Sequence, residues 1–161
     1  MIKSVYLDST IASYYVDNTR IELAFLSDVT RKWWKNESKN YEILTSEYTF
    51  LELNRGNYPH KETALDFISG ITILPVENEI NDIAEAYIKE FVMPKGDAGD
   101  AFHLACASFH KIDFLLTWNC EHLANANKEQ HIQITNTKLG LFTPTITTPL
   151  QLIKEEGIKN E

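Results

Sequence analysis

A chain of 161 residues with 43% hydrophobic content is long enough for one globular domain with its own core, and no linker divides it, so a single domain over 1–161 is expected. Fifteen basic against 23 acidic side chains give a formal net charge of -8, which excludes a broad electropositive surface; a nucleic acid would have to be held locally. No apolar run reaches membrane-spanning length, Met1-Ile2-Lys3-Ser4 leads into a strand rather than a signal peptide, and two cysteines make no disulfide framework, so a cytoplasmic protein with no membrane partner is expected.

Ser4-Val5-Tyr6-Leu7 is a short β-type run ended by Asp8-Ser9-Thr10, and residues 11–15 have helical potential. Asp8, Ser9 or Thr10 would serve there as an N-cap, yet Asp8 is also an acid at the end of a strand. Over residues 21–36 the apolar positions Ile21, Ala24, Phe25, Val29, Trp33 and Trp34 follow amphipathic helical spacing, with Arg31, Lys32 and Lys35 around the tryptophans. Aromatic and basic side chains together can grip unpaired bases, but tryptophan normally buries its area, and core packing is the expectation. Residues 41–45 read as a second strand, and Ser46 is placed to cap a helix over 47–54 that Arg55-Gly56-Asn57-Tyr58-Pro59 breaks. Glu47 and Glu52, five apart, point to different sides of that helix. Glu47 suits the first-turn dipole, whereas Glu52, flanked by Phe50, Leu51 and Leu53, needs a partner or a metal.

A helix over 61–69 stops at Gly70, a strand follows over 71–74 until Pro75, and residues 78–91 form an amphipathic helix with Ile80, Ala84, Tyr87 and Phe91 on one side. Gly96-Asp97-Ala98-Gly99-Asp100 then opens a helix with carboxylates where its dipole favours negative charge, and the body of that helix is apolar on nearly every face. Residues 113–117 read as a buried strand followed by the polar cluster Trp118-Asn119-Cys120-Glu121-His122. One or two helices over 124–139, a short edge strand within 144–149, a helical turn over 150–153 and a frayed tail over 154–161 complete the chain.

Apolar strands separated by helices indicate an α/β domain with a mainly parallel central sheet covered on both faces, where ligands bind beyond the carboxyl ends of the strands. Asp8, Glu52, Asp100 and Asn119 can all reach that rim, an oxygen-rich set suited to Mg²⁺ or Mn²⁺ in phosphodiester hydrolysis. His103, Cys106, Cys120 and His122 form a rival soft set for zinc, but their spacing matches no strong zinc pattern. A haloacid-dehalogenase-like site on Asp8 would need an aspartate where Thr10 stands, and no glycine-rich nucleotide motif is present.

The blocks Val5-Tyr6-Leu7-Asp8-Ser9-Thr10, Ser46-Glu47-Tyr48-Thr49-Phe50-Leu51-Glu52-Leu53, Asp100-Ala101-Phe102-His103-Leu104-Ala105 and the run from Leu115 through Asn119 to Asn125 resemble the PIN domain, within it the VapC-like toxin-type ribonucleases. The resemblance implies a three-layer α/β/α fold and a metal-dependent endoribonuclease with Asp8, Glu52 and Asp100 as ligands of Mg²⁺ or Mn²⁺ and Asn119 at the fourth corner. Thr10, Thr117, Asp97 and His122 would support the acids or position the RNA substrate. Many family members carry an aspartate near Asn119 or His122, so the amide bears on the second metal and on full activity. Family context also implies a homodimer and a small antitoxin partner. The competing expectation is a PIN-like binding module that keeps the fold without efficient chemistry.

Overall fold

The computed structural model describes residues 1–96 and 98–154, so Asp97 and most of the expected frayed tail lie outside the described residues. The elements follow the order β1 (Ser4–Leu7), α1 (Ser9–Val16), α2 (Ala24–Asn36), β2 (Glu42–Ser46), α3 (Glu47–Asn54), α4 (Lys61–Ser69), β3 (Thr72–Leu74), α5 (Asn78–Lys89), α6 (Ala98–Phe109), β4 (Phe114–Leu116), α7 (Ala126–Lys138) and β5 (Thr145–Thr147). The strands form one sheet in the order β3-β2-β1-β4-β5, and every pairing is parallel. Among the described residues, no helix is long and apolar enough to cross a membrane.

Alternation along the central strand divides the core in two, because successive side chains leave a strand on opposite faces. Tyr6 joins Leu44 and Leu115 under α5, α6 and Ile132 of α7. Val5 and Leu7 join Leu116 on the other face, under Ile11 of α1, Trp33 of α2 and Ala64 and Ile68 of α4. The result is three layers, helices over both faces of the sheet, as the sequence pattern required.

Three local expectations are corrected. The buried stripe of α2 is Ser27, Thr30 and Trp33, while Ile21 and Phe25 are exposed. It is set by the Trp118 indole donating to Thr30 Oγ1 at 2.8 Å and the Trp33 indole donating to the Leu152 carbonyl at 2.7 Å. Ser46 stands at the N-cap of α3, but its side chain makes no capping bond there, its hydroxyl being bonded to the Tyr6 hydroxyl at 2.6 Å. Phe91 does not continue α5: it takes a left-handed φ of 59° and stands exposed, while the Val92 N–H closes on the Tyr87 carbonyl at 2.8 Å. That is a Schellman cap, and Lys111 with φ 55° ends α6 the same way, the Ile112 N–H reaching the Ala107 carbonyl at 2.9 Å. The helical turn expected after Pro149 is met by the N–H groups of Gln151 and Leu152, which close on the Thr148 carbonyl three and four residues back.

Candidate active site

Strand order reverses between β1 and β4, and in parallel sheets ligands bind in the crevice at that switch point, beyond the carboxyl ends of the strands. Asp8 follows β1 and Thr117 follows β4, and the register pairs Leu7 with Leu116, so the two residues emerge side by side. Asp8 is fully buried and is also the N-cap of α1. Its Oδ1 accepts the Thr10 N–H at 3.0 Å and the Thr10 hydroxyl at 2.5 Å, and its Oδ2 accepts the Thr117 hydroxyl at 2.5 Å. Each threonine oxygen in turn accepts a backbone N–H of the segment beyond β4, Thr10 from Trp118 and Thr117 from Asn119, both at 2.9 Å. The capping role and the site role of Asp8 are therefore one arrangement.

Helix α6 brings the second acid, with Asp100 in its first turn, where the dipole stabilises negative charge. Asn119 donates from Nδ2 to Asp100 Oδ2 at 2.7 Å, while its Oδ1 accepts the N–H groups of Glu121 at 3.2 Å and His122 at 2.9 Å. One turn along α6, His103 is buried and bonded at both ring nitrogens: Nε2 to Glu52 Oε1 and Nδ1 to the Tyr6 hydroxyl at 2.6 Å. Glu52 Oε2 accepts the Ser9 hydroxyl at 3.0 Å. The carboxylate lies so close to α6 that a Cβ on Gly99 would stand 2.9 Å from Oε1.

Burial alone would lower the pKa of His103, but the hydrogen bond and charge of Glu52, with the charges of Asp8 and Asp100, raise it above its ordinary value. Burial likewise would raise Glu52, yet His103, Ser9 and Arg55 outweigh it and hold the carboxyl below its ordinary range. A protonated His103 then donates from both nitrogens, and the Tyr6 hydroxyl passes its own proton toward Ser46. Asp8 goes the other way: burial pushes it up, against the pull of His103, Thr10 and Thr117, and the charge of Glu52 adds to the rise. Even with His103 protonated, the three carboxyl groups around it outnumber it.

Among the described residues, no three His, Cys, Asp or Glu side chains meet closely enough to form a metal cluster by themselves. The zinc set does not assemble, with Cys106 inside the core and Cys120 exposed. The donors at the rim are oxygens in a negative field, which fits a hard dication that keeps part of its water shell.

No protein-family model matches the chain, and no curated protein sequence matches it. A chain of the crystal structure of VapBC2 from Rickettsia felis bound to a DNA fragment from their promoter aligns with 92% of this chain and 98% of its own length, at a TM-score of 0.52 and 13% identity. The fold is PIN-like. Within this PIN-like α/β/α frame, Asp8, Thr10, Thr117, Asn119 and Asp100 join one hydrogen-bonded network, while Glu52 is bonded separately, to His103 and Ser9. His103, which the sequence groups with the cysteines, sits instead between Glu52 and Tyr6, and no motif in the sequence marks Tyr6, Ser9 or Gly99 as its neighbours or those of Glu52. The available signal was helical spacing, because His103 lies three residues after Asp100 and shares its face. His122 contributes its backbone N–H to Asn119, and its side chain is 22% exposed.

Proposed function

We propose that this chain is a divalent-metal-dependent endoribonuclease of the VapC-like PIN type that hydrolyses RNA phosphodiester bonds. Asp8, Glu52 and Asp100 would hold Mg²⁺ or Mn²⁺, which would have to draw together carboxylates that form no cluster by themselves. The observation that carries the reading is the gathering of oxygen donors at the β1/β4 switch point, each fixed by its own partner: Asp8 by Thr10 and Thr117, Glu52 by Ser9 and His103, Asp100 by Asn119. A bound dication would supply water activation and stabilisation of the leaving oxygen. The protein's own part is to hold the carboxylates in place and to confine the phosphate to the rim of an otherwise acidic molecule. Asn119 acts by positioning Asp100, and Thr10 and Thr117 by positioning Asp8.

The same reading makes the chain the toxin of a type II toxin–antitoxin pair, a cytoplasmic homodimer blocked by a small antitoxin. Its support is the motif resemblance together with the likeness of fold to a chain of the VapBC2 complex. The direct test compares RNA cleavage in Mg²⁺ and Mn²⁺ by the wild type, Asp8→Asn and Asp100→Asn. Cleavage should fall at least about 100-fold in each variant. A wild type that cuts no faster than both variants removes these acids from the chemistry. A folded wild type that takes up no Mn²⁺ calorimetrically at millimolar concentration is instead a PIN-like binding module.

A further inference from the structure

A cleft of about 600 Å³ leads away from the carboxylates, between the end of α1 and the chain that joins α3 to α4. We propose that it seats the base and ribose of an unpaired nucleotide next to the scissile phosphate, an inference that rests on the ribonuclease reading. Position is the first argument. Ser9 and Glu52 line the cleft and are hydrogen-bonded to each other at 3.0 Å, so a nucleoside inside it would hold its phosphate at the carboxylate rim.

Its walls suit a nucleobase. Val16 and Leu53 supply apolar surface, and Tyr58 lines the cleft with its hydroxyl donating to the Leu53 carbonyl at 2.5 Å, which fixes the ring. An aromatic ring held this way is the platform on which unpaired bases stack without regard to sequence. Ser13 and Thr19 also line it; the Thr19 hydroxyl donates to Asp17 at 3.1 Å, and Ser13 brings a second hydroxyl of the kind that reads base edges or the ribose 2′-hydroxyl.

Charge selects which part of the nucleotide enters. Asp17 and Glu52 outnumber Arg20 along the lining, and Arg20 is already paired with Asp17 at 2.5 Å. A phosphate is repelled from that interior, whereas a neutral base and ribose are not. A base still stacked in a duplex cannot reach the cleft, so the substrate is single-stranded at the cut.

The test is steady-state cleavage of a single-stranded RNA in Mn²⁺ by the wild type, by Ser13→Trp, which fills the cleft, and by Tyr58→Ala and Tyr58→Phe. Thermal midpoints and Mn²⁺ affinity are measured alongside. Ser13→Trp and Tyr58→Ala should raise KM about tenfold or more and shift the cut positions, Tyr58→Phe should stay within a few-fold of wild type, and Mn²⁺ affinity should not change. Wild-type KM and cut positions in both Ser13→Trp and Tyr58→Ala would overturn the proposal, as would a loss of Mn²⁺ affinity equal to the loss of cleavage. A wild type that cuts no RNA overturns the ribonuclease reading itself, and the cleft assignment with it.

Discussion

Adding one methyl group at Gly99 should damage the site while leaving the fold almost untouched. The new Cβ would stand 2.9 Å from Glu52 Oε1, 3.2 Å from its Cδ and 3.4 Å from Oε2, and the first of these is closer than real Cβ atoms come to other groups. The carboxylate must therefore move, and it is held on one side by His103 and on the other by Ser9. Displacement weakens a hydrogen bond to a charged group, worth about 1.5–3 kcal/mol, toward the lower end here because the Glu52 side chain is 29% exposed. Alanine recovers up to about 1 kcal/mol over glycine as a helix former. The two nearly offset, so Gly99→Ala should melt within a few degrees of wild type. Mn²⁺ affinity and RNA cleavage should instead fall about 10- to 100-fold, the usual cost of disturbing a group that orients a ligand. Gly96→Ala is the control, since a Cβ there meets nothing within 4 Å. Calorimetric Mn²⁺ titration with parallel thermal melts decides the matter. If Gly99→Ala binds Mn²⁺ and cuts RNA as Gly96→Ala does, the placement of Glu52 has no bearing on function.

The His103–Glu52 pair also predicts a pH profile for the protein in chelator. His103 is raised in the fold, so its contribution is complete below the ordinary value of 6.5 and is lost as pH climbs through the raised one. Glu52 is lowered from 4.5, so its contribution is complete above that value and is lost as pH falls through the lowered one. The pair is thus fully stabilising between 4.5 and 6.5, while buried Asp8, raised from 3.8, costs stability as pH rises through its titration. Thermal melts from pH 3 to 9 should show His103→Gln flattening the profile, with a loss of about 1.5–3 kcal/mol near pH 6; an unchanged profile would refute the pairing. Lys111→Gly should stabilise by about 1 kcal/mol in urea melts, because it relieves a left-handed non-glycine residue at the C-terminal cap of α6. Asn119→Asp exchanges the N–H donated to Asp100 for a second acid, so it should lower the melting temperature in chelator and gain more from Mn²⁺ than wild type does.

The architecture was legible because each strand is a short apolar run bracketed by helical patterns, and β1 is buried on both faces. The placement of Asp8 after β1 and of Asp100 in the first turn of α6 was legible because strand ends and helix starts are where a parallel sheet gathers ligands. What escaped depends on partners far along the chain. The buried face of α2 follows from the indoles of Trp33 and Trp118, which reach Leu152 and Thr30, and no periodicity within residues 21–36 encodes those bonds. Phe91 looked like the end of an apolar stripe, but a Schellman cap needs a left-handed residue there and turns the ring into solvent. His103 looked like part of a soft metal set, and only the packing of α6 beside β1 and α3 shows that its neighbours are Tyr6 and Glu52.

Asn119 is best understood through what its two ends do. Its Oδ1 closes the turn after β4 by accepting the N–H groups of Glu121 and His122, a task an aspartate would perform equally well. Its Nδ2 donates to Asp100, which an aspartate cannot do without a cation or a proton between the two acids. The amide therefore ties the exit of β4 to the start of α6 with no ion between them, much as Thr117 ties that same exit to Asp8. Both ties depend on the β1–β4 register that sets Leu7 beside Leu116, so slipping that register would displace two of the three carboxylates together. At this corner the chain gives up one negative charge and gains a fixed Asp100.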